Sequence, residues 1–178
     1  MYIQSMKTIL KITKNELSTL FYSPIAWLIL IIFTFQSGMA YAEAWADALR
    51  SQALGYTVYG ATERLLLGWS GAISSMQEHL YLYIPLLTMG LMSQEYNRGS
   101  IKLLYSSPVT NKQIIFGKYL SMIIYALILV AILFIYYAFT AFTIKAIDTP
   151  FVMTALLGIF LMICAYAAIG LFMSSLTS

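Results

Sequence analysis

Three places in this sequence hold residue types that do chemistry. Gly68-Trp69-Ser70-Gly71 has the G-x-S-G form in which an intramembrane protease houses a nucleophilic serine. Such a serine needs a histidine base within hydrogen-bond reach. The only histidine, His79, lies nine residues on in the same segment rather than on a later one, so the motif lacks its context. Gly117-Lys118-Tyr119 looks like the end of a phosphate-binding loop. However, Lys112 stands where the earlier glycine is needed, and Tyr119 cannot give the hydroxyl that a Ser or Thr offers the metal. This chain is therefore not expected to bind ATP itself. Glu78 and His79 are candidates for a substrate path, as intramembrane ionisable groups are. The preferred reading places them at the outer interface, where titratable groups need no partner. Cys164 stands alone inside an apolar run, so no disulfide framework or zinc cluster forms within the chain. No catalytic, metal-ligating or cofactor-binding residue is expected.

What remains is a candidate docking surface, Ser93 to Tyr119, with sequence SQEYNRGSIKLLYSSPVTNKQIIFGKY. Arg98, Lys102, Lys112 and Lys118 gather here with one acid, Glu95, and long apolar runs lie on both sides. Gly99 and Ser107-Pro108 divide the stretch into pieces. Between them Ile101, Leu103, Leu104 and Tyr105 form an element too apolar for a solvated linker and too short to span a membrane. Such an element in a basic loop suits a cytoplasmic surface, held at the membrane and offered to a partner. The plainer alternative is a positively charged loop anchored at the interface.

The elements that position this surface follow from composition. The chain is 61% hydrophobic and only 10% charged, with a mean hydropathy of +0.81, whereas about a quarter of residues are charged in soluble domains. The net charge of +3 is too small and too localised for a nucleic-acid protein. An all-α, polytopic membrane protein is expected, with an N-terminal interfacial helix and four transmembrane helices. No cleavable signal peptide is expected, because a charged, apparently helical segment precedes the first apolar run.

Over residues 1–24, Met6, Ile9, Leu10, Thr13, Leu17, Leu20 and Phe21 recur at helical spacing, with Lys7, Lys11 and Lys14 on the other side. The pattern suits a helix lying in the membrane interface, its lysines toward anionic headgroups; the alternative is an amphipathic helix packed on a partner. Ser23-Pro24 turns the chain, with Pro24 suited to a first helical position. Spans are expected at about 25–42, 73–92, 119–141 and 151–173, each near the length that crosses a hydrocarbon core of about 30 Å. Trp27 is placed as an interfacial anchor, and EAWADALRSQAL can prolong the first helix. Thr110 with Gln113 fits a capping box ahead of the third span, and Thr149-Pro150 a cap ahead of the fourth. Gly158, Ala165, Ala168, Gly170 and Ser174 are small residues that let helices approach closely in lipid.

Basic residues set the orientation. An inside amino end leaves Lys7, Lys11, Lys14, Arg98, Lys102, Lys112 and Lys118 in cytoplasmic segments, against Arg50, Arg64 and Lys145 outside. A cytoplasmic N-terminus in a cell membrane is expected. The chain stops just after its last apolar run, without a basic or polar tail, which suggests a truncated C-terminus.

Three stretches resemble a known family: NELSTLFYSPIAWLIL, SQEYNRGSIKLLYSSPVTNKQIIFGKYL and YAAIGLFMSSLTS. Together they are similar to the ABC-2 type permeases, the membrane subunits of one class of ATP-binding-cassette transporters, and most of all to the gliding-motility-associated group. The middle stretch is the most specific: an acid, a glycine four residues on, an apolar pair and a Pro-Val turn, here Glu95, Gly99, Leu103-Leu104 and Pro108-Val109. It departs from the pattern in having Gln94 where a second acid is common and Ser100 where threonine is common. The family has about six spans, so residues 1–178 would form a partial transmembrane domain containing the first four.

The resemblance implies a membrane-spanning permease that couples ATP hydrolysis by a cytoplasmic ABC ATPase subunit to export. A second permease subunit, identical or different, would complete the complex in the lipid bilayer. In that setting residues 94–118 are the coupling region, and Glu95, Arg98, Gly99, Leu103, Leu104 and Pro108 are the residues implied to dock the ATPase. The other class of function compatible with the chain is a non-transporting membrane anchor or scaffold that docks a cytoplasmic partner through the same loop.

Overall fold

A computed structural model describes residues 2–55, 63–68, 71–97, 110–144 and 147–176, with the backbone alone at 2–5, 63–64 and 89–97. Its described residues form five α-helices: α1 (Tyr2–Tyr22), α2 (Pro24–Ala53), α3 (Ala72–Asn97), α4 (Asn111–Thr143) and α5 (Thr149–Leu176). A single π-helical turn, Glu63–Leu67, precedes α3. Among the described residues three helices, α2, α4 and α5, are long and apolar enough to cross a membrane. Their 30, 33 and 28 residues correspond to about 45, 50 and 42 Å at 1.5 Å per residue. The chain is thus an all-helical protein with several membrane-crossing helices.

Local chemistry explains most helix ends. At the α1–α2 turn the Ser23 hydroxyl accepts from the Ile25 N–H at 3.4 Å, and Pro24 is the first residue of α2. The segment EAWADALRSQA continues α2 to Ala53, where Gly55 takes a positive φ of 81° and ends the run. At α4, Gln113 Oε1 accepts from the Thr110 N–H at 3.0 Å, the glutamine half of a capping box. At α5 the Asp148 carbonyl accepts from Val152, so the cap falls one residue before Thr149. The Thr149 hydroxyl instead accepts from Tyr137 Oη at 3.1 Å. Inside α3, Pro85 has no N–H to give the Tyr81 carbonyl.

Hydroxyls on the apolar helices are satisfied locally, as a low-dielectric surrounding requires. Thr34, Ser37, Thr140, Thr143 and Thr154 each donate to the carbonyl four residues back at 2.7–2.9 Å.

The chain divides into two compact units, each made of portions of several helices. The first holds residues 1–28, 82–126 and 163–178. Its core includes Leu20, Ala26, Ile84, Met122, Tyr125, Ile163 and Ala167, and Tyr125 Oη donates to the Ala26 carbonyl at 2.9 Å. Gly170 is needed there: a Cβ on it would fall onto the Thr88 side chain, 2.8 Å from the Thr88 Cβ. The second holds residues 29–81 and 127–162, packed around Phe33, Leu65, Leu66, Met76, Leu80, Leu129 and Leu133. In it Tyr41 stacks on Tyr136 with ring centroids 5.0 Å apart, and its hydroxyl lies 2.7 Å from Thr140 Oγ1.

Of the small residues singled out in the sequence, Gly170 and Ser174 are buried, whereas Gly158, Ala165 and Ala168 are exposed. Trp27 has a local role at the turn between α1 and α2. Its indole N–H donates to the Phe21 carbonyl at 2.8 Å and its ring meets Phe21 edge-on, which staples the turn between α1 and α2.

Candidate functional site

The candidate docking stretch is bracketed by described helices. Glu95 lies in the last turn of α3, with its backbone alone described. Arg98, Gly99, Leu103, Leu104 and Pro108 lie outside the described residues, as does Lys102. The chain re-enters at Thr110, and Asn111 to Lys118 make the first two turns of α4.

Those two turns are where α1 packs, within the first unit. Lys118 is 1% exposed, and its Nζ lies 3.1 Å from Glu16 Oε1 on α1. The Thr13 hydroxyl donates to the Ile9 carbonyl at 2.9 Å and also lies 3.2 Å from the Gly117 carbonyl. Gly117 permits this approach: a Cβ there would meet Ile12 Cγ2 at 2.6 Å and Cβ at 2.9 Å. Ile12 is β-branched and stiff in a helix, so it cannot swing aside. α1 therefore has three faces. Thr13, Glu16 and Leu20 are buried; Met6 and Leu10 are apolar and exposed; Lys7, Lys11 and Lys14 are exposed and basic.

Beside this junction a groove of about 260 Å³ runs along α4 and α5 in the same unit. Its walls are almost wholly apolar, with Ile115, Phe116 and Tyr119 on α4 facing Ala168, Leu171 and Phe172 on α5. Tyr119 Oη crosses to the Cys164 carbonyl at 3.3 Å. Such a surface supplies packing, not acid–base or nucleophilic chemistry.

Residues 10–178 match the ABC-2 family transporter protein domain, nearly the whole chain. The chain belongs to the ABC-2 transporter family. It is also 37% identical over 54 residues to an uncharacterized protein, YhcI, of Bacillus subtilis (strain 168). That match covers 30% of this chain and 17% of YhcI, so well under two thirds of the relative's length is represented. No solved structure matches the chain. ABC-2 permeases are as a rule the non-catalytic membrane component of their transporters, and the family in general works with an ATPase partner.

The structure describes only some of the remaining chemical candidates in this ABC-2 chain. Ser70 lies outside the described residues. His79 is exposed on α3, its Nδ1 2.7 Å from the Ser75 carbonyl. Among the described residues no group of three His, Cys, Asp or Glu side chains is placed to hold a metal. Gly117-Lys118, the apparent phosphate-loop fragment, is instead the seat of α1. Its glycine makes room for Ile12 and its lysine pairs with Glu16.

Sequence reasoning did not single out Glu16, and it grouped Lys118 with the cations of the basic stretch rather than with a buried partner. A signal was present for both. Glu16 is the one acid between Met1 and Tyr22, and helical spacing sets it between Thr13 and Leu20 on the apolar side. Lys118 follows Ile114-Ile115-Phe116-Gly117 and opens a long uncharged run. An acid and a base, each stranded on an apolar face, are each other's natural partners.

Proposed function

We propose that this chain is the membrane-spanning permease subunit of an exporter-type ATP-binding-cassette transporter, coupling ATP hydrolysis in a partner subunit to substrate movement. The observation that carries the reading is the family match across residues 10–178. The partners are a cytoplasmic ABC ATPase subunit and a second permease subunit, and α3 serves as a further span beside α2, α4 and α5. Glu95, Arg98, Gly99, Leu103, Leu104 and Pro108 form the docking element. Glu95 and Arg98 are spaced to pair with each other or with the ATPase across about one helical turn, while Gly99 and Pro108 set the angle of the apolar piece between them.

The amino end lies in the cytoplasm in this reading, with α1 along the inner face of the membrane. Its support is the charge on the first unit, whose exposed charged side chains among the described residues are all lysines: Lys7, Lys11, Lys14 and Lys112. The test is co-purification. A tagged full-length protein extracted from its native membrane should bring down an ATPase subunit in stoichiometric amount, and the pair should hydrolyse ATP in liposomes. Recovery without any ATP-hydrolysing partner would overturn the permease reading.

A further inference from the structure

We infer that Glu16 and Lys118 are positioning residues that join α1 and the first two turns of α4 into one mechanical body, so that α1 is carried wherever the start of α4 goes. The inference deepens the proposed function in one respect: it rests on that reading for the claim that the ATPase acts on the loop preceding α4.

Three separate contacts hold the junction. The ion pair spans 3.1 Å, with side-chain exposures of 1% for Lys118 and 11% for Glu16. One turn earlier on α1, Thr13 Oγ1 lies 3.2 Å from the Gly117 carbonyl. Ile12 fills the volume a side chain on Gly117 would take. The contacts fall at Ile12, Thr13 and Glu16, on one side of α1, and at two adjacent residues of α4. A single hydrogen bond would act as a hinge; this arrangement resists both sliding and rotation. Separating the charges would take apart an ion pair in desolvated surroundings, which is strongly unfavourable.

The two ends of the junction determine what it transmits. Only two helical turns separate Lys118 from Thr110, and the Gln113–Thr110 bond fixes the start of those turns. A displacement of Thr110 is therefore carried to Lys118 along continuous helix. On the other side, α1 ends at a turn closed by the bond from Trp27 Nε1 to the Phe21 carbonyl, 2.8 Å. α1 thus follows α4 at its middle and reports to the start of α2 at its end. The basic stripe of Lys7, Lys11 and Lys14 moves with it. A helix merely resting on the membrane surface would need no buried acid, and Glu16 would face water.

The experiment places spin labels on Asn15→Cys and Asn111→Cys, both exposed positions, in the full-length protein with Cys164→Ala, in nanodiscs. In the parent the label-to-label distance is expected to be single and narrow. With the ATPase subunit bound, it should not shift between the nucleotide-free state and a non-hydrolysable ATP analogue. Glu16→Gln should lose the single narrow distance, and the charge exchange Glu16→Lys with Lys118→Glu should restore it. The exchange separates the positioning role from a general folding defect, because it keeps the pair while changing both residues. A parent distance that is already broad, or that shifts with nucleotide, overturns the inference. So does a Glu16→Gln distance as narrow as the parent's. If no ATPase binds the full-length chain, the reading of the loop falls, and the nucleotide-free distances still decide whether the junction is rigid.

Discussion

Gly158 and Gly170 lie on one helix, α5, and a methyl group added to each has opposite consequences. Nothing stands within 4 Å of a Cβ at Gly158, whereas at Gly170 it would strike the Thr88 side chain. Gly170→Ala overpacks a closed contact, which typically costs about 1–3 kcal/mol. In a chain of this size that lowers the melting temperature by roughly 2–12 °C. Gly158→Ala gains the helical preference of alanine, up to about 1 kcal/mol, and should leave melting unchanged or raise it. Fluorescence-monitored melting in detergent tests the pair, and equal behaviour of the two variants would refute the close approach. Lys112 and Lys118 offer a second contrast on α4. Lys118→Met breaks the buried pair with Glu16, at a cost of about 3–5 kcal/mol. Lys112 is exposed, so Lys112→Met should stay within about 0.5 kcal/mol of the parent.

At the scale of elements, the docking stretch gives a prediction of its own. Gly99→Val stiffens or misdirects the proposed wedge, and Glu95→Lys reverses its only acid. Neither changes an apolar span, so membrane abundance of the full-length protein should be normal. Co-purification of the ATPase, or ATP-driven transport, should be lost. Parental pull-down together with parental transport in both variants would remove the docking role from this stretch. The flanking elements were legible in the sequence because their determinants are local. Ser23-Pro24 starts α2, Thr110 with Gln113 starts α4, and the spacing of Lys7, Lys11 and Lys14 sets one face of α1. Apolar run length was enough to find α2, α4 and α5. The Glu16–Lys118 junction was not found, since its partners are 102 residues apart and pairing across that distance is set by packing. Periodicity finds the apolar side of α1, yet it does not divide that side into the part that packs and the part, Met6 and Leu10, that stays exposed. For the same reason, a stripe of small residues on α5 did not reveal which of them makes the contact.

For the whole molecule, the proposed orientation makes a prediction that can be measured. The first unit exposes Lys7, Lys11, Lys14 and Lys112 among its described side chains, and its one described acid, Glu16, is buried. Among its described side chains the second exposes Glu43, Asp47, Arg50, Glu78, His79 and Asp148, of which four are acids and one is a base apart from the histidine. Basic residues near span ends are retained on the cytoplasmic side, and acids contribute little to that choice. The length of α2 bears on where its far end would lie. Its 30 residues extend about 45 Å, well beyond a hydrocarbon core of about 30 Å. If the Trp27 end is at the inner interface, the last turns of α2, carrying Asp47 and Arg50 with their exposed pair at 3.7 Å, would emerge outside. Single cysteines at Asn15, Asn111 and Gln52, all exposed, placed in the full-length protein with Cys164→Ala, put this to the test. In intact cells a membrane-impermeant thiol reagent should label position 52 alone, and positions 15 and 111 should react only after the membrane is permeabilised. Labelling at 111 without labelling at 52 would invert the orientation. It would also set the docking stretch on the face of the membrane where ATP is absent, and coupling through that stretch would then be impossible.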